Sequence, residues 1–181
     1  MNDGLIPKRY AKALLKFAVE KHDDRRVYEL MTTLTESYRS NPELAAVVGN
    51  PFVDNVTKTK LLTTAAGAGP DDRTYDDFIR LLVDNNRLTE LRGIALAYLS
   101  LYREANNIYL VNITSAAPLE KSEVDRLDAI IRKHLADARI EYNMAVDPAL
   151  IGGFVVNIGS ERLDASVNNE LKQLRLKLLS K

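Results

Sequence analysis

The sequence predicts a mostly helical α+β protein, with a six-helix bundle over residues 1–105 followed by a small α/β domain over residues 106–181. Three observations carry that prediction. From Pro7 to about Asn106 the apolar residues recur at helical spacing. Past Asn106–Asn107 the period drops from 3.6 to 2. Finally, Asp147–Leu171, DPALIGGFVVNIGSERLDASVNNEL, packs a turn, a strand, a second turn and a helix start into one stretch.

The first helix opens at Pro7, where a proline's missing N–H costs nothing. Tyr10, Ala11, Ala13, Leu14, Leu15, Phe17 and Ala18 cover an arc of about 200° on its wheel, against the little over 100° that one packing face needs. Two readings stand at this point: a helix wedged between two others, or a helix with one flank left for a partner. His22-Asp23-Asp24 ends it and caps a second helix with Val27, Leu30, Met31, Leu34 and Tyr38 on one stripe. Ser40-Asn41-Pro42 breaks the chain before a short helical segment, Glu43 to Val48. Asn50-Pro51-Phe52 breaks it again before Val56 to Ala66, whose inward face is expected to hold Val56, Leu61, Leu62 and Ala65.

Gly67-Ala68-Gly69-Pro70 is a stop and not a phosphate loop, since no strand precedes it and no Gly-Lys-Ser/Thr follows. Asp71-Asp72 places acids at the start of a fifth helix, TYDDFIRLLVDNN. There Tyr75, Phe78, Ile79, Leu81, Leu82 and Val83 again span roughly 200°. A sixth helix, Leu88 to Tyr102, is apolar nearly all round and therefore central. The first and fifth helices carry more apolar face than a small bundle buries, so that pair is the candidate binding surface.

In the second half, Ile108 to Thr114 is a strand, and Pro118 and Ser122 precede a helix bearing Val124, Leu127, Ile130, Ile131 and Leu135. Arg139 to Val146 alternates, with Ile140, Tyr142, Met144 and Val146 on one face. Asp147-Pro148 then turns the chain, Gly152-Gly153 provides a bulge or a close backbone approach, and FVVNI is a strand. Gly159-Ser160-Glu161 reads as a hairpin turn, and Leu163-Asp164-Ala165-Ser166 leads into the last helix. That helix sets Val167, Leu171, Leu174 and Leu178 on one stripe beside Lys172, Arg175, Lys177 and Lys181. Three or four short strands with two helices make the economical arrangement.

Composition narrows the function classes. At 181 residues the chain has enough core to fold without staples. The absence of cysteine removes disulfides, thiol catalysis and thiolate metal sites. Lys plus Arg equal Asp plus Glu at 25 each, and residues 1–105 balance at 15 against 15, so nucleic acid is not an expected partner. No apolar run approaches the roughly 20 residues that span a bilayer. Lys12 and Lys16 interrupt any signal-peptide core, and the N-terminal apolar pattern runs straight on into folded-looking sequence rather than standing apart as a transit peptide. The expectation is a cytosolic protein, complete as written.

No catalytic set emerges. His22 and His134 lie in separate predicted domains, each at the C-terminal end of a helix where a positive charge is favoured. Asp23-Asp24, Asp71-Asp72 and Asp76-Asp77 sit at or near helix starts, which the macrodipole explains. Metal-ligand spacing is missing, and the glycines of LIGGFVVNIG precede a strand instead of following one. The residues point to binding, with no enzyme activity, cofactor or metal expected.

Four stretches resemble a known family: RYAKALLKFAVEK, NPFVDNVTKTKLL, LLVDNNRLTELRGIALAYLSLYRE and above all DPALIGGFVVNIGSERLDASVNNELKQL. They are similar to the delta subunits of F-type ATP synthases and to the mitochondrial oligomycin-sensitivity-conferring protein, in the same order along essentially the whole chain. The lack of a transit peptide resembles the bacterial form.

The resemblance implies a non-catalytic stator subunit, one copy per complex, on the cytoplasmic face of the bacterial plasma membrane, with membrane contact only through the complex. It implies that the N-terminal domain takes the alpha subunit's N-terminal helix on the alpha/beta head, using Tyr10, Ala13, Leu14 and Phe17 with Phe78, Ile79 and Leu82. It also implies that the C-terminal domain holds the b subunits of the peripheral stalk, through Val155, Leu163, Leu171, Leu174, Arg175 and Leu178. Two other readings stay beside it. A free-standing helical adaptor or RNA-binding bundle would need a one-sided basic patch in the RNA-binding case. A hydrolase or transferase would need a pocket with convergent titratable groups.

Overall fold

The fold was read from a computed structural model, which describes residues 4–135, 138–159 and 161–179. Ser160 of the expected turn and Lys181 of the last helix lie outside the described residues. The chain divides into two compact units, Met1–Ala105 and Asn106–Lys181.

The first unit is six helices: α1 (Leu5–Lys21), α2 (Asp24–Ser40), α3 (Glu43–Gly49), α4 (Asn55–Ala66), α5 (Arg73–Asp84) and α6 (Leu91–Ala105), with a 3-10 turn at Leu88–Glu90. Helix α1 stops where His22 turns left-handed at φ 60°, and the amides of His22 and Asp23 close on Val19 and Ala18. Helix α4 is started by Asp54, whose carboxylate accepts the Thr57 amide at 2.8 Å.

Helix α2 buries Val27, Leu30, Met31, Leu34 and Tyr38, the stripe its spacing predicts. Helix α6 packs on both α1 and α2 and buries Leu91, Ile94, Ala95, Tyr98, Leu99 and Tyr102. It can lie close to α1 because Gly93 carries no side chain; a Cβ there would come within 3.1 Å of the Pro7 ring.

Polar cross-ties fix the remaining elements. Arg26 grips the Asp72 carboxylate through Nε and an Nη at 2.8 and 2.9 Å, and the same carboxylate accepts the Gly69 amide. Thr74 donates to Asp23, Tyr75 to the Leu62 carbonyl, and Tyr98 to the Asp24 carbonyl. Burial of the two tyrosines pushes their pKa values up, so these hydroxyls stay protonated donors.

One expectation needs correction. The inward face of α4 is Lys58, Leu62 and Ala66, whereas Val56 is exposed and Leu61 and Ala65 are half-buried. Leu62 and Ala66 fix the buried row, and four residues earlier that row meets Lys58, whose methylene stem serves as core.

The second unit follows the order β1 (Ile108–Ser115), α7 (Lys121–Leu135), β2 (Arg139–Val146), a 3-10 turn at Pro148–Leu150, β3 (Gly153–Ile158), β4 (Glu161–Ser166) and α8 (Val167–Leu179). The sheet order is β2-β1-β3-β4. Strands β1 and β2 are parallel, which α7 makes possible as the crossover. β1 with β3 and β3 with β4 are antiparallel.

Register sets Val111 opposite Ile158 and Ile113 opposite Val156, and these pack with Leu127 and Ile131 of α7 as the core. Ile130, expected on the inner stripe of α7, is exposed, because Leu127 and Ile131 alone make the buried row. LDAS is not a lead-in but the body of β4, and α8 begins at the very next residue.

Candidate functional site

The apolar surplus of α1 and α5 resolves into two classes of residue. Leu14, Phe78, Ile79 and Leu82 are core side chains, between 0% and 4% exposed. Tyr10 and Phe17 are half-buried and Ala13 is exposed. The surface between the two helices is a shallow hollow of about 480 Å³ lined by Ile6, Arg9, Tyr10, Ala13, Leu81, Asn85 and Arg87. Leu81, 46% exposed, forms the α5 side of it. A second depression of about 750 Å³ continues along α1 and shares Arg9 and Ala13 with the first.

A wheel finds the wide arc but not its outer flank. Of the groove residues that the resemblance implies, Tyr10 and Ala13 line the hollow; Ile6, Arg9, Leu81 and Arg87, which line it too, are not among them. The available signal was the spacing of Leu81 one turn before Asn85, on the border between apolar and polar faces.

In the second unit, α7 covers only part of the sheet and leaves an apolar cavity of about 320 Å³ against β3 and β4. Ile130, Ile131, Phe154, Ile158 and Leu163 line it, and His134 meets Glu161 at 3.0 Å on its polar side. Leu163 belongs to this surface, but Val155 does not. Val155 is buried, and strand alternation points it to the face opposite Val156.

Helix α8 buries none of its residues. Leu171, Leu174 and Leu178 are 52%, 56% and 70% exposed, and Arg175 is exposed as well. With Val167 they follow one another at spacings of 4, 3 and 4, one apolar stripe along the helix.

The first turn of α8 is tied to its unit. The Val167 amide bonds the Gly152 carbonyl at 3.0 Å, Asn168 donates to the Ala149 carbonyl, and Ser166 Oγ accepts the Asn169 amide. The Ser166 hydroxyl also donates to Asp164, which with Arg162 holds that carboxyl below its usual range.

Chemistry beyond binding finds no support in the arrangement. The shifted groups are buried tyrosines and the members of caps, ion pairs and local side-chain hydrogen bonds, none of them converging in a pocket. His22 and His134 lie in different units. Among the described residues no group of three His, Cys, Asp or Glu side chains is placed to hold a metal.

A family model described as ATP synthase delta (OSCP) subunit matches residues 6–178. The chain belongs to this family. Relatives named ATP synthase subunit delta match it over nearly their whole length. The one from Parabacteroides distasonis is 38% identical, covering 99% of this chain and 98% of the relative. The one from Phocaeicola vulgatus is 36% identical, covering 98% and 96%.

The fold is that of a chain in the cryo-EM structure of the Toxoplasma gondii mitochondrial ATP synthase hexamer. It superposes with a TM-score of 0.75 over 96% of this chain and 97% of that one, at 21% identity. A member of the delta (OSCP) family is a non-catalytic, peripheral-stalk subunit of the F-type ATP synthase. It assembles with the other subunits as a peripheral component of a membrane-bound complex. No helix among the described residues is long and apolar enough to cross a membrane.

Proposed function

We propose that the two units hold two different partners and so keep the catalytic head from turning with the rotor. The bundle takes the N-terminal helix of an alpha subunit in the hollow between α1 and α5. There Tyr10, Ala13 and Phe17 with Leu81 present the contact surface, and Leu14, Phe78, Ile79 and Leu82 support it from the core. The α/β unit takes the b subunits through the Leu171–Leu174–Leu178 stripe of α8, bordered by Arg175, and through the Leu163 side of the cavity beside α7. Val155 supports β3 from within. One copy serves each complex, on the cytoplasmic face of the bacterial plasma membrane.

The observation that carries this reading is α8, a helix with an apolar stripe and no buried residue. An apolar stripe of that length in water calls for a partner surface. The test is recovery from native membranes. Tagged full-length protein should bring down alpha, beta and b subunits. Leu171→Asp with Leu174→Asp should lose b while retaining alpha, whereas Ala13→Glu should do the reverse. Equal recovery of all subunits by both variants would refute the division of labour.

A further inference from the structure

The hollow between α1 and α5 carries a charge pattern that apolar docking alone does not use. Arg9 and Arg87 both line it, and among the described residues no carboxylate does. Along α1 the adjoining depression adds Lys12 and Lys16 against a single acid, Glu20. Of the 15 cations that residues 1–105 hold against 15 acids, four thus line this surface beside the one acid Glu20.

Among the described residues, three other arginines of the bundle are matched to carboxylates, Arg25 with Glu29, Arg26 with Asp72 and Arg80 with Asp77, while Arg39 and Arg73, like Arg9 and Arg87, are not. Among the described residues the side chains of Arg9 and Arg87 make no hydrogen bond or ion pair.

We propose that this hollow selects an amphipathic helix whose apolar stripe is bordered by carboxylates, and that Arg9 and Arg87 read those carboxylates. The apolar floor of Ile6, Tyr10, Ala13 and Leu81 supplies contact but little direction, since apolar burial is insensitive to register. Guanidinium groups add direction, because a planar fork accepts a carboxylate in a narrow range of geometries. One arginine comes from α1 and the other from the turn after α5, so a carboxylate-bearing helix is gripped from both sides of the hollow. Charges at the edge of an interface act mainly on encounter rate and salt dependence.

This inference rests on the alpha-subunit reading, and the experiment separates the two. Full-length protein is titrated with a labelled peptide of the alpha subunit's N-terminal helix, at low and at high salt. Circular dichroism checks that each variant is folded. Arg9→Glu combined with Arg87→Glu should weaken binding about tenfold at low salt, with the gap closing at high salt. The peptide with its carboxylates replaced by amides should bind the unaltered protein as weakly, and Lys60→Glu on α4 should change nothing.

Unchanged affinity of the arginine double variant, while Ala13→Trp abolishes binding, overturns the charge inference and leaves the docking reading standing. No binding of the peptide by the unaltered protein overturns both.

Discussion

Gly153 sits in the left-handed region at φ 74°, and a Cβ there would overlap the Ala165 carbonyl oxygen of the neighbouring strand. Both conditions demand glycine, the backbone angle and the close approach alike. Gly153→Ala should therefore cost the second unit about 2 kcal/mol or more, read as a lower denaturant midpoint for its transition.

Asp72 poses a different residue-scale question. Its carboxyl is held below the usual range first by the Arg26 hydrogen bonds and then, against some desolvation, by the Gly69 amide. A depressed folded-state value means that the stabilisation is complete above the unfolded pKa of about 3.9 and disappears as pH falls through the lower folded value. Arg26 is half exposed, so screening limits the pair to about 1 kcal/mol. Asp72→Asn should lose that amount at pH 7 and lose nothing further on acidification through this window, in contrast to the unaltered protein.

Among the elements, α8 buries no residue in its own unit. Thirteen residues are too few for a stable isolated helix, since nucleation is unfavourable and only tertiary packing offsets it. Amides of Leu174 to Leu179 should exchange rapidly in the free protein and become protected when b subunits are added. Leu171→Asp should leave the melting temperature of the free protein within about a degree, because an exposed leucine contributes little to its own unit.

What the sequence discloses about an element depends on how many neighbours that element has. Helix α2 shows one apolar stripe, and the stripe alone fixes Val27 to Tyr38 as core. Helices α1 and α5 show an arc wide enough for two neighbours, and angle on a wheel does not say which flank meets a helix of the same bundle. Hence sequence alone groups the core residues Leu14 and Ile79 with Tyr10 and Ala13, and does not single out Leu81. Strand β4 was hidden for a related reason: ERLDAS has only one large apolar residue, Leu163, so its pairing with β3 had no period to announce it. Helix α8 was read correctly as a leucine stripe, but nothing in a stripe tells a covered face from a bare one.

At the scale of the molecule, the change of period after Asn106 falls where α6 ends and β1 begins, Ala105 and Ile108. Each unit has its own core, and the two are unequal. The bundle closes on several large side chains with essentially no exposure, Leu14, Met31, Tyr75, Ile79 and Tyr98 among them. In the second unit, the described core cluster is Val111, Ile113, Leu127, Ile131 and Val156, with a cavity left open beside it. Apolar burial is the main stabilising term. Urea should therefore unfold the second unit first, and hydrogen exchange measured at intermediate urea should show protection surviving in α2 and α6 after it is lost in β1 and β3. A single coincident transition of both units would contradict this ordering.

The direct join between β4 and α8, Ser166 to Val167 with no intervening loop, has a mechanical consequence. Tension drawn through α8 passes the bonds of its first turn to Gly152 and Ala149 and then meets the first rung of the β3–β4 ladder, where Ser166 pairs with Gly153. Strand β4 is the outer strand of the sheet, so six residue pairs on one side carry that load. In single-molecule pulling from Leu179 against Asn106, the first extension after α8 should be the release of β4, ahead of β1 and β2. The ladder works as a fuse, one that yields at the edge of the second unit before its core is strained.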